Sequence, residues 1–452
     1  MIPRALSEIA AAVGGRFVGP DVEVSSVATH SRAVRPGGLF VALPGERADG
    51  HDFVEEALAR GAAGALVRRG SKGPLVVVDD PGRALLDLAA DERRRMRGAI
   101  VVGITGANGK TSTKDLAAAV LSTRFRTHAS PASFNNEIGL PMTLLGAEPG
   151  TEVVVAEMGA RHEGDVRLLC EVARPDLVVV TNVGVAHMEV FGSWEAIVRA
   201  GAEPIRWLGP GGIAIVNVDD PVVRGYASQA RSRVLTFGTE RRAHVRAEDV
   251  VLGDDGRASF TLATGEEREP VELAVPGEHM VPNALAAAAC GIALWLSAAE
   301  CATALKGARV SGWRMETFTT PDGVLIVNDA YNANPESMAA ALKAARWIAG
   351  RGRLAAVLGH MAELGPISFD EHERLGELIV RVGVERLITV GEPARTIALA
   401  AIREGQLPED VVTCEGPAQA EAEVRAWARA GDVVLLKGSR VAGLERVAEA
   451  LR

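Results

Sequence analysis

Val101-Val102-Gly103-Ile104-Thr105-Gly106-Ala107-Asn108-Gly109-Lys110-Thr111-Ser112 decides the fold: an apolar, β-branched run feeds a glycine turn that ends in Gly-Lys-Thr and opens a helix. The pattern is that of a triphosphate-binding loop, G-x-x-x-x-G-K-[ST], departing from it only in having its glycines at 103, 106 and 109. Gly106, Ala107, Asn108 and Gly109 let backbone N–H groups wrap the phosphates, and the helix opening at Lys110, Thr111 and Ser112 presents its positive N-terminus. Lys110 reaches the terminal phosphates and the Thr111 hydroxyl can ligate Mg²⁺. A Gly-Lys-Thr met by chance in a surface turn needs neither the strand before it nor the helix expected over 114–121.

Outward from this loop, apolar and amphipathic runs alternate at 152–156, 166–172, 177–181, 194–200 and 213–216. That alternation predicts a doubly wound parallel sheet, whose ligands sit beyond the carboxyl ends of the strands. Between 236 and 275 the period becomes polar–apolar, with turns at Gly253-Asp254-Asp255-Gly256 and Thr264-Gly265, which reads as a β-hairpin insertion or extension. Helices follow at 283–296 and 298–306, and 307–312 reads as a hinge. The βαβ rhythm returns at 324–328, 337–349, 354–358, 372–382, 386–390, 418–428 and 433–437. Before the loop, 1–82 mixes β-like runs at 38–42, 65–67 and 75–78 with a helix at 53–60; Pro81-Gly82 then breaks the chain ahead of a helix over 84–97. The expected fold class is α/β with three domains. These are a small mixed α/β domain over 1–82, a central P-loop parallel-sheet ATPase domain over 83–310, and a C-terminal Rossmann-like α/β domain over 311–452.

Composition limits the function classes. A net charge of −9 argues against a nucleic-acid partner held by a broad basic surface. The basic run Arg93-Arg94-Arg95-Met96-Arg97 reads as a solvated helix end or linker. Cys170, Cys290, Cys301 and Cys414 show no C-x-x-C pair and read as reduced, buried thiols. No apolar stretch reaches the roughly 18 residues a spanning helix needs, so a cytoplasmic enzyme without stable membrane insertion is expected.

Polar groups stand where strands end. Glu157 follows the buried run Val153 to Ala156 and could ligate the nucleotide's Mg²⁺ or cap a helix; Asn182 and His187 follow the next strand into the same mouth.

Further motifs extend this pattern along nearly the whole chain: Ser31-Arg32, 36–43, Gly45-Glu46-Arg47-Ala48-Asp49-Gly50-His51, 133–141, 277–283, Asn328 to Met338, Lys437-Gly438-Ser439-Arg440 and Gly443-Leu444-Glu445-Arg446. In this order they resemble the Mur ligase family. The resemblance implies an ATP-dependent amide ligase of peptidoglycan precursor synthesis. Tyr331-Asn332-Ala333-Asn334-Pro335 is similar to the branch that joins D-alanyl-D-alanine to UDP-N-acetylmuramoyl-tripeptide through an acyl phosphate. It implies Ser31 and Arg32 at the UDP end of the substrate, Asn135, Asn136, Lys437, Ser439 and Arg440 as further substrate contacts, and Asp329 on the ATP ribose. Asn283, Tyr331, Asn332 and Asn334 would lie near the nucleotide, with Arg314 on the phosphates. The implied catalytic set is Lys110, Glu157, His187 and Arg314; the metal set is Thr111, Glu157 and His187. ATP and Mg²⁺ are the implied cofactors and a monomer is expected.

The chain departs from this family at one chemical position. The family carries a lysine, modified to a carbamate, in an Ala-Lys-Gly-Glu stretch; here Arg199-Ala200-Gly201-Ala202-Glu203 stands there, and no lysine lies between Lys114 and Lys306. Either Glu203 takes over at the second metal or turnover is weak. His30 and His360 stand where Asp is usual. A paralogue with another amino acceptor and a non-catalytic nucleotide-binding regulatory protein remain alternative readings.

Overall fold

The computed structural model describes residues 1–45 and 48–452. Strand Ile100–Thr105 is apolar up to its last residue and almost wholly buried, as strands covered on both faces are. It lies inside a nine-stranded sheet. In spatial order the strands are Glu267–Pro276, Arg257–Thr264, Val245–Leu252, Arg233–Gly238, Ile213–Asn217, Leu177–Val180, Ile100–Thr105, Val153–Glu157 and Thr127–Ala129. Pairing is parallel from Thr127–Ala129 to Val245–Leu252, and the last two strands are antiparallel. The polar–apolar segment is therefore an extension of the main sheet.

Chain order reverses around Ile100–Thr105, because the next strands add on one side and the later ones on the other. That is the switch point at which a ligand crevice opens. Glu157 pairs with Ile104 and Val180 with Thr105, so three strands finish level at that crevice. Helix Lys110–Leu121 leaves it and packs on Met280–Ala293, in which Ala284 to Ala289 are all fully buried. A helix apolar on every side belongs in an interior, and alanine brings the two backbones close.

The C-terminal sheet has the order Glu316–Thr319, Leu325–Asn328, Val433–Lys437, Leu354–Gly359, Arg386–Val390 and Val411–Cys414, parallel except for its first pair. Its helix Arg395–Glu404 and strand Val411–Cys414 are not expected from the sequence. The N-terminal sheet orders Arg16–Val18, Leu75–Val77, Gly64–Val67, Gly38–Val41 and Ser26–Ala28. All four cysteines are free and buried.

Two expectations need correction. Pro81-Gly82 does not break the chain but starts helix Pro81–Arg95: Asp80 caps it, accepting N–H bonds from Gly82 at 2.8 Å and Arg83 at 3.2 Å, and proline suits a first turn. Arg93 is not a solvated helix end. Its side chain is 12% exposed and donates to the Ala173 carbonyl at 2.9 Å and to Asp176 at 2.9 Å, tying this helix to the main sheet.

His372 supports the loop after Leu354–Gly359. Its Nε2 accepts the Met361 N–H at 2.9 Å and its Nδ1–H donates to the Ser368 carbonyl at 2.6 Å, which fixes a neutral ring. Burial lowers its pKa, against the Ser368 bond, and burial lowers those of His128, His279 and His360 likewise. The unfolded chain takes up these protons near pH 6.5, where the folded one resists them, so stability present above that pH is lost as pH falls through it. The melting temperature is expected to drop between about pH 7.5 and about pH 5.5, and less steeply in His372→Gln; calorimetry across that range checks both.

Candidate active site

The loop after Ile100–Thr105 depends on two glycines. A Cβ at Gly106 (φ +136°) would stand 2.1 Å from Thr181 Oγ1, and one at Gly109 (φ +78°) 2.2 Å from Asn283 Oδ1. Asn182 then holds the loop much as a backbone segment would. Its Oδ1 accepts the Asn108 N–H at 2.8 Å, its Nδ2 donates to the Asn108 carbonyl at 3.0 Å, and its own carbonyl accepts the Ala107 N–H at 3.0 Å. Lys110 folds back across the loop, Nζ donating to the carbonyls of Gly106 at 2.7 Å and Ala107 at 3.2 Å. Burial lowers its pKa, the Glu157 carboxylate opposes that, and the Arg314 guanidinium adds to it. Ser112 is buried in the first turn of the helix, and Asn283 Oδ1 accepts the Thr113 hydroxyl at 3.3 Å.

Beside the loop, Thr111 Oγ1 donates to Glu157 Oε2 at 2.7 Å and accepts from Arg314 Nη2 at 2.7 Å. Glu157 is 1% exposed; its Oε1 accepts from Asn135 Nδ2 at 2.8 Å. A hydroxyl and a carboxylate oxygen are donors that Mg²⁺ takes, and it completes its shell with water and phosphate oxygens. Thr111 and Glu157 therefore fit that ion. His187, at φ +58°, bonds through Nδ1 to the Glu363 carboxylate, and burial lowers its pKa. Among the described residues no three His, Cys, Asp or Glu side chains converge on one point.

The strand ends of the central and C-terminal sheets line one cavity of about 990 Å³. Across it, Arg314 lies 4.1 Å over the Tyr331 ring, the Tyr331 hydroxyl meets that of Ser133, and Asn334 Nδ2 donates to Asn108 Oδ1 at 2.8 Å. Asn334 Oδ1 also caps helix Pro335–Ala349 through the Ser337 N–H at 2.9 Å. Asp329 and Lys437, expected on the ribose and on the substrate, are paired with each other at 2.5 Å. Asp329 also accepts the Met315 N–H at 3.1 Å, and Lys437 donates to the Asn332 carbonyl at 3.0 Å. Ser439 Oγ accepts the Ala362 N–H at 2.8 Å, and Asn136 Oδ1 accepts the Gly139 N–H at 2.8 Å. Arg440 lies 4.3 Å over the Trp313 ring and 3.1 Å from Glu445, its side chain half exposed to the cavity.

Ser31 and Arg32 do not line this cavity. They belong to the N-terminal unit, where the Ser31 hydroxyl donates to Glu56 at 3.3 Å. Glu46 and Arg47 lie outside the described residues. Glu203 is not at the metal position: its carboxylate accepts the N–H groups of Gly164 at 2.6 Å and Arg167 at 2.9 Å, capping helix Asp165–Ala173. Gly201 ends helix Trp194–Gly201, and a Cβ there would stand 2.7 Å from Tyr226 Oη, which donates to the Val198 carbonyl at 2.6 Å. Sequence reasoning missed Arg161, Glu336 and Glu363, all in the cavity wall. Spacing carries no signal for Glu363, which meets His187 across 176 residues of chain.

Comparison with known proteins matches residues 23–89 to "Mur ligase family, catalytic domain", 104–291 to "Mur ligase middle domain" and 313–440 to "Mur ligase, glutamate ligase domain". The UDP-N-acetylmuramoyl-tripeptide–D-alanyl-D-alanine ligase of Mycobacterium tuberculosis (strain ATCC 25618 / H37Rv) is 40% identical, over 100% of this chain and 98% of that protein. The ligase of the same name from Bacillus subtilis (strain 168) is 36% identical over 100% and 99%. Among solved structures, MurF from Acinetobacter baumannii superposes with a TM-score of 0.88 at 30% identity, covering 99% of this chain and 98% of that one. MurF ligase from Thermotoga maritima in complex with ADP gives 0.82 at 29%, covering 95% and 97%.

The contact at Gly201 has a measurable consequence. Gly201→Ala is expected to destabilise by about 1–3 kcal/mol through overpacking on Tyr226. Gly201→Ala with Tyr226→Phe should cost less than the sum of the single changes, because the clashing oxygen is gone. Urea titrations of the four proteins of this cycle check it.

Proposed function

The chain belongs to the Mur ligase family, and on that premise we infer that it is an ATP-dependent, ADP-forming amide ligase that adds D-alanyl-D-alanine to UDP-N-acetylmuramoyl-tripeptide in peptidoglycan precursor synthesis. The observation that carries this reading is the contact of Arg314, from beyond the hinge, with the P-loop Thr111 beside a buried Glu157.

A carboxylate resists attack by an amine, so the γ-phosphoryl of ATP first passes to it, giving an acyl phosphate and ADP. The dipeptide amine then adds to the acyl carbon, and phosphate leaves from the tetrahedral intermediate. Lys110 and Arg314 set two cations where charge develops on the transferring phosphoryl group, held in place before reaction. The Asn182 cradle takes up the Ala107 and Asn108 N–H groups and so fixes the loop, leaving the N–H groups at the start of helix Lys110–Leu121 for the phosphates. Mg²⁺, when bound, supplies further neutralisation of phosphate charge, with Thr111 and Glu157 to hold it and His187 the additional candidate. The contacts of Arg314, Tyr331 and Asn334 with the central loops form only when the two units meet, which shields the acyl phosphate from water.

On the acceptor side Arg440 is assigned to the dipeptide carboxylate. Stacking on Trp313 holds its guanidinium while leaving donors for a two-pronged grip. Ser31 and Arg32 are assigned to the UDP end, and Asn135, Asn136 and Ser439 to the peptide side. The same reading divides the chain into three units with the second boundary between 310 and 311; the first, expected between 82 and 83, would cut helix Pro81–Arg95 and is moved to before Pro81. No helix among the described residues is long and apolar enough to cross a membrane. A cytoplasmic monomer, where ATP and UDP-linked precursors are found, completes the assignment.

Phosphate release with ATP and UDP-N-acetylmuramoyl-tripeptide is expected to require D-alanyl-D-alanine for sustained turnover; equal turnover with unrelated amines would favour a paralogue. Lys110→Ala should lower kcat by roughly 10²–10³-fold with the circular dichroism spectrum unchanged. Arg440→Ala should raise the KM for D-alanyl-D-alanine roughly tenfold or more, as loss of a charged hydrogen-bonded contact does, while leaving the KM for ATP in place.

A further inference from the structure

His187 is reached by a carboxylate from the other side of the cleft. Glu363 lies in the loop after Leu354–Gly359, and its two oxygens meet His187 Nδ1 and the Arg161 guanidinium. The backbones interlock at the same place: the Glu363 carbonyl accepts the Glu189 N–H at 3.0 Å, and a Cβ at Gly365 (φ +56°) would stand 2.9 Å from Glu189 Cα. Glu363 and His187 both hold left-handed backbone conformations, at φ +60° and +58°. Such conformations persist in non-glycine residues where surrounding contacts over-determine them.

An ionised carboxylate only accepts hydrogen bonds, so the proton of this contact must sit on His187 Nδ1. A neutral imidazole then carries its lone pair on Nε2, which has no protein partner among the described residues and belongs to a side chain in the cavity wall. We infer that Glu363 is a positioning residue for His187: it sets the tautomer and ring orientation so that the Nε2 lone pair is presented to the cleft. This rests on the reading of His187 as part of the ligase site. Glu203 is committed to a helix cap and position 201 has no side chain, so the acid that His187 touches comes from the C-terminal unit. The His187 site is therefore complete only when that unit is docked.

The test uses ¹⁵N-histidine-labelled full-length protein loaded with ADP, with His187→Ala to assign the resonance. The wild type is expected to show His187 protonated at Nδ1 and bare at Nε2. In Glu363→Gln that tautomer should no longer dominate, and kcat should fall roughly 10–100-fold with the KM for ATP changed by less than about threefold, the pattern of a lost orienting partner. Glu363→Asp, which keeps the charge, should retain the tautomer and recover part of kcat. A wild-type His187 protonated at Nε2 overturns the inference, as does a Glu363→Gln enzyme with unchanged tautomer and kcat. The tautomer is read without turnover, so a wild type that fails to ligate would count against the ligase function alone.

Discussion

One hydroxyl organises this molecule. Thr111 Oγ1 stands between Glu157 and Arg314, 2.7 Å from each, and those three groups come from a P-loop helix, a strand end and a segment beyond the hinge. Glu157 is buried and takes a further bond from Asn135, so the hydroxyl is fixed between an anchored carboxylate and a cation from the other unit. The position of Glu157 follows from its register against Ile104, and that of Arg314 from the docking of the C-terminal sheet. The same contact that assembles the fold thus brings a second cation to the phosphate site.

Around it, precision comes mostly from backbone. The loop passes Thr181 and Asn283 at distances that exclude a Cβ, and Asn182 supplies a donor and an acceptor to the peptide groups of Asn108. With those peptide groups tied to Asn182, the loop holds its shape and presents the start of helix Lys110–Leu121 without rearrangement. Several residues expected to touch ligand also serve this rigidity. Asp329 and Lys437 answer each other's charge, and Asn334 ties a helix cap to the P-loop.

The absent lysine at 201 is a structural fact as well as a chemical one. Tyr226 lies against that glycine, and Glu203 is drawn away by two free N–H groups at the start of helix Asp165–Ala173. Burial raises the Glu203 pKa, and the two N–H bonds that make it a cap oppose that shift. The acid that meets His187 is Glu363, from the other side of the cleft.

Much was legible from residues alone. The strand–glycine–Lys-Thr order pointed to a P-loop, since an apolar strand, a flexible turn, a lysine and a helix N-terminus together suit a polyanion; the period changes marked the antiparallel extension and the return of βαβ units. Family resemblance added the reaction and its substrates. Local pattern failed where local chemistry was ambiguous: Pro81-Gly82 reads equally as a break and as a capped first turn, and strand Val411–Cys414 is too short to declare itself. Pairings across long stretches of chain were decided by tertiary structure. Whether Lys437 faces substrate or Asp329, whether Glu203 caps a helix or meets a metal, and which acid orients His187 all depend on distances between distant segments. A side chain's type states what it can bond to; only packing states what stands within reach.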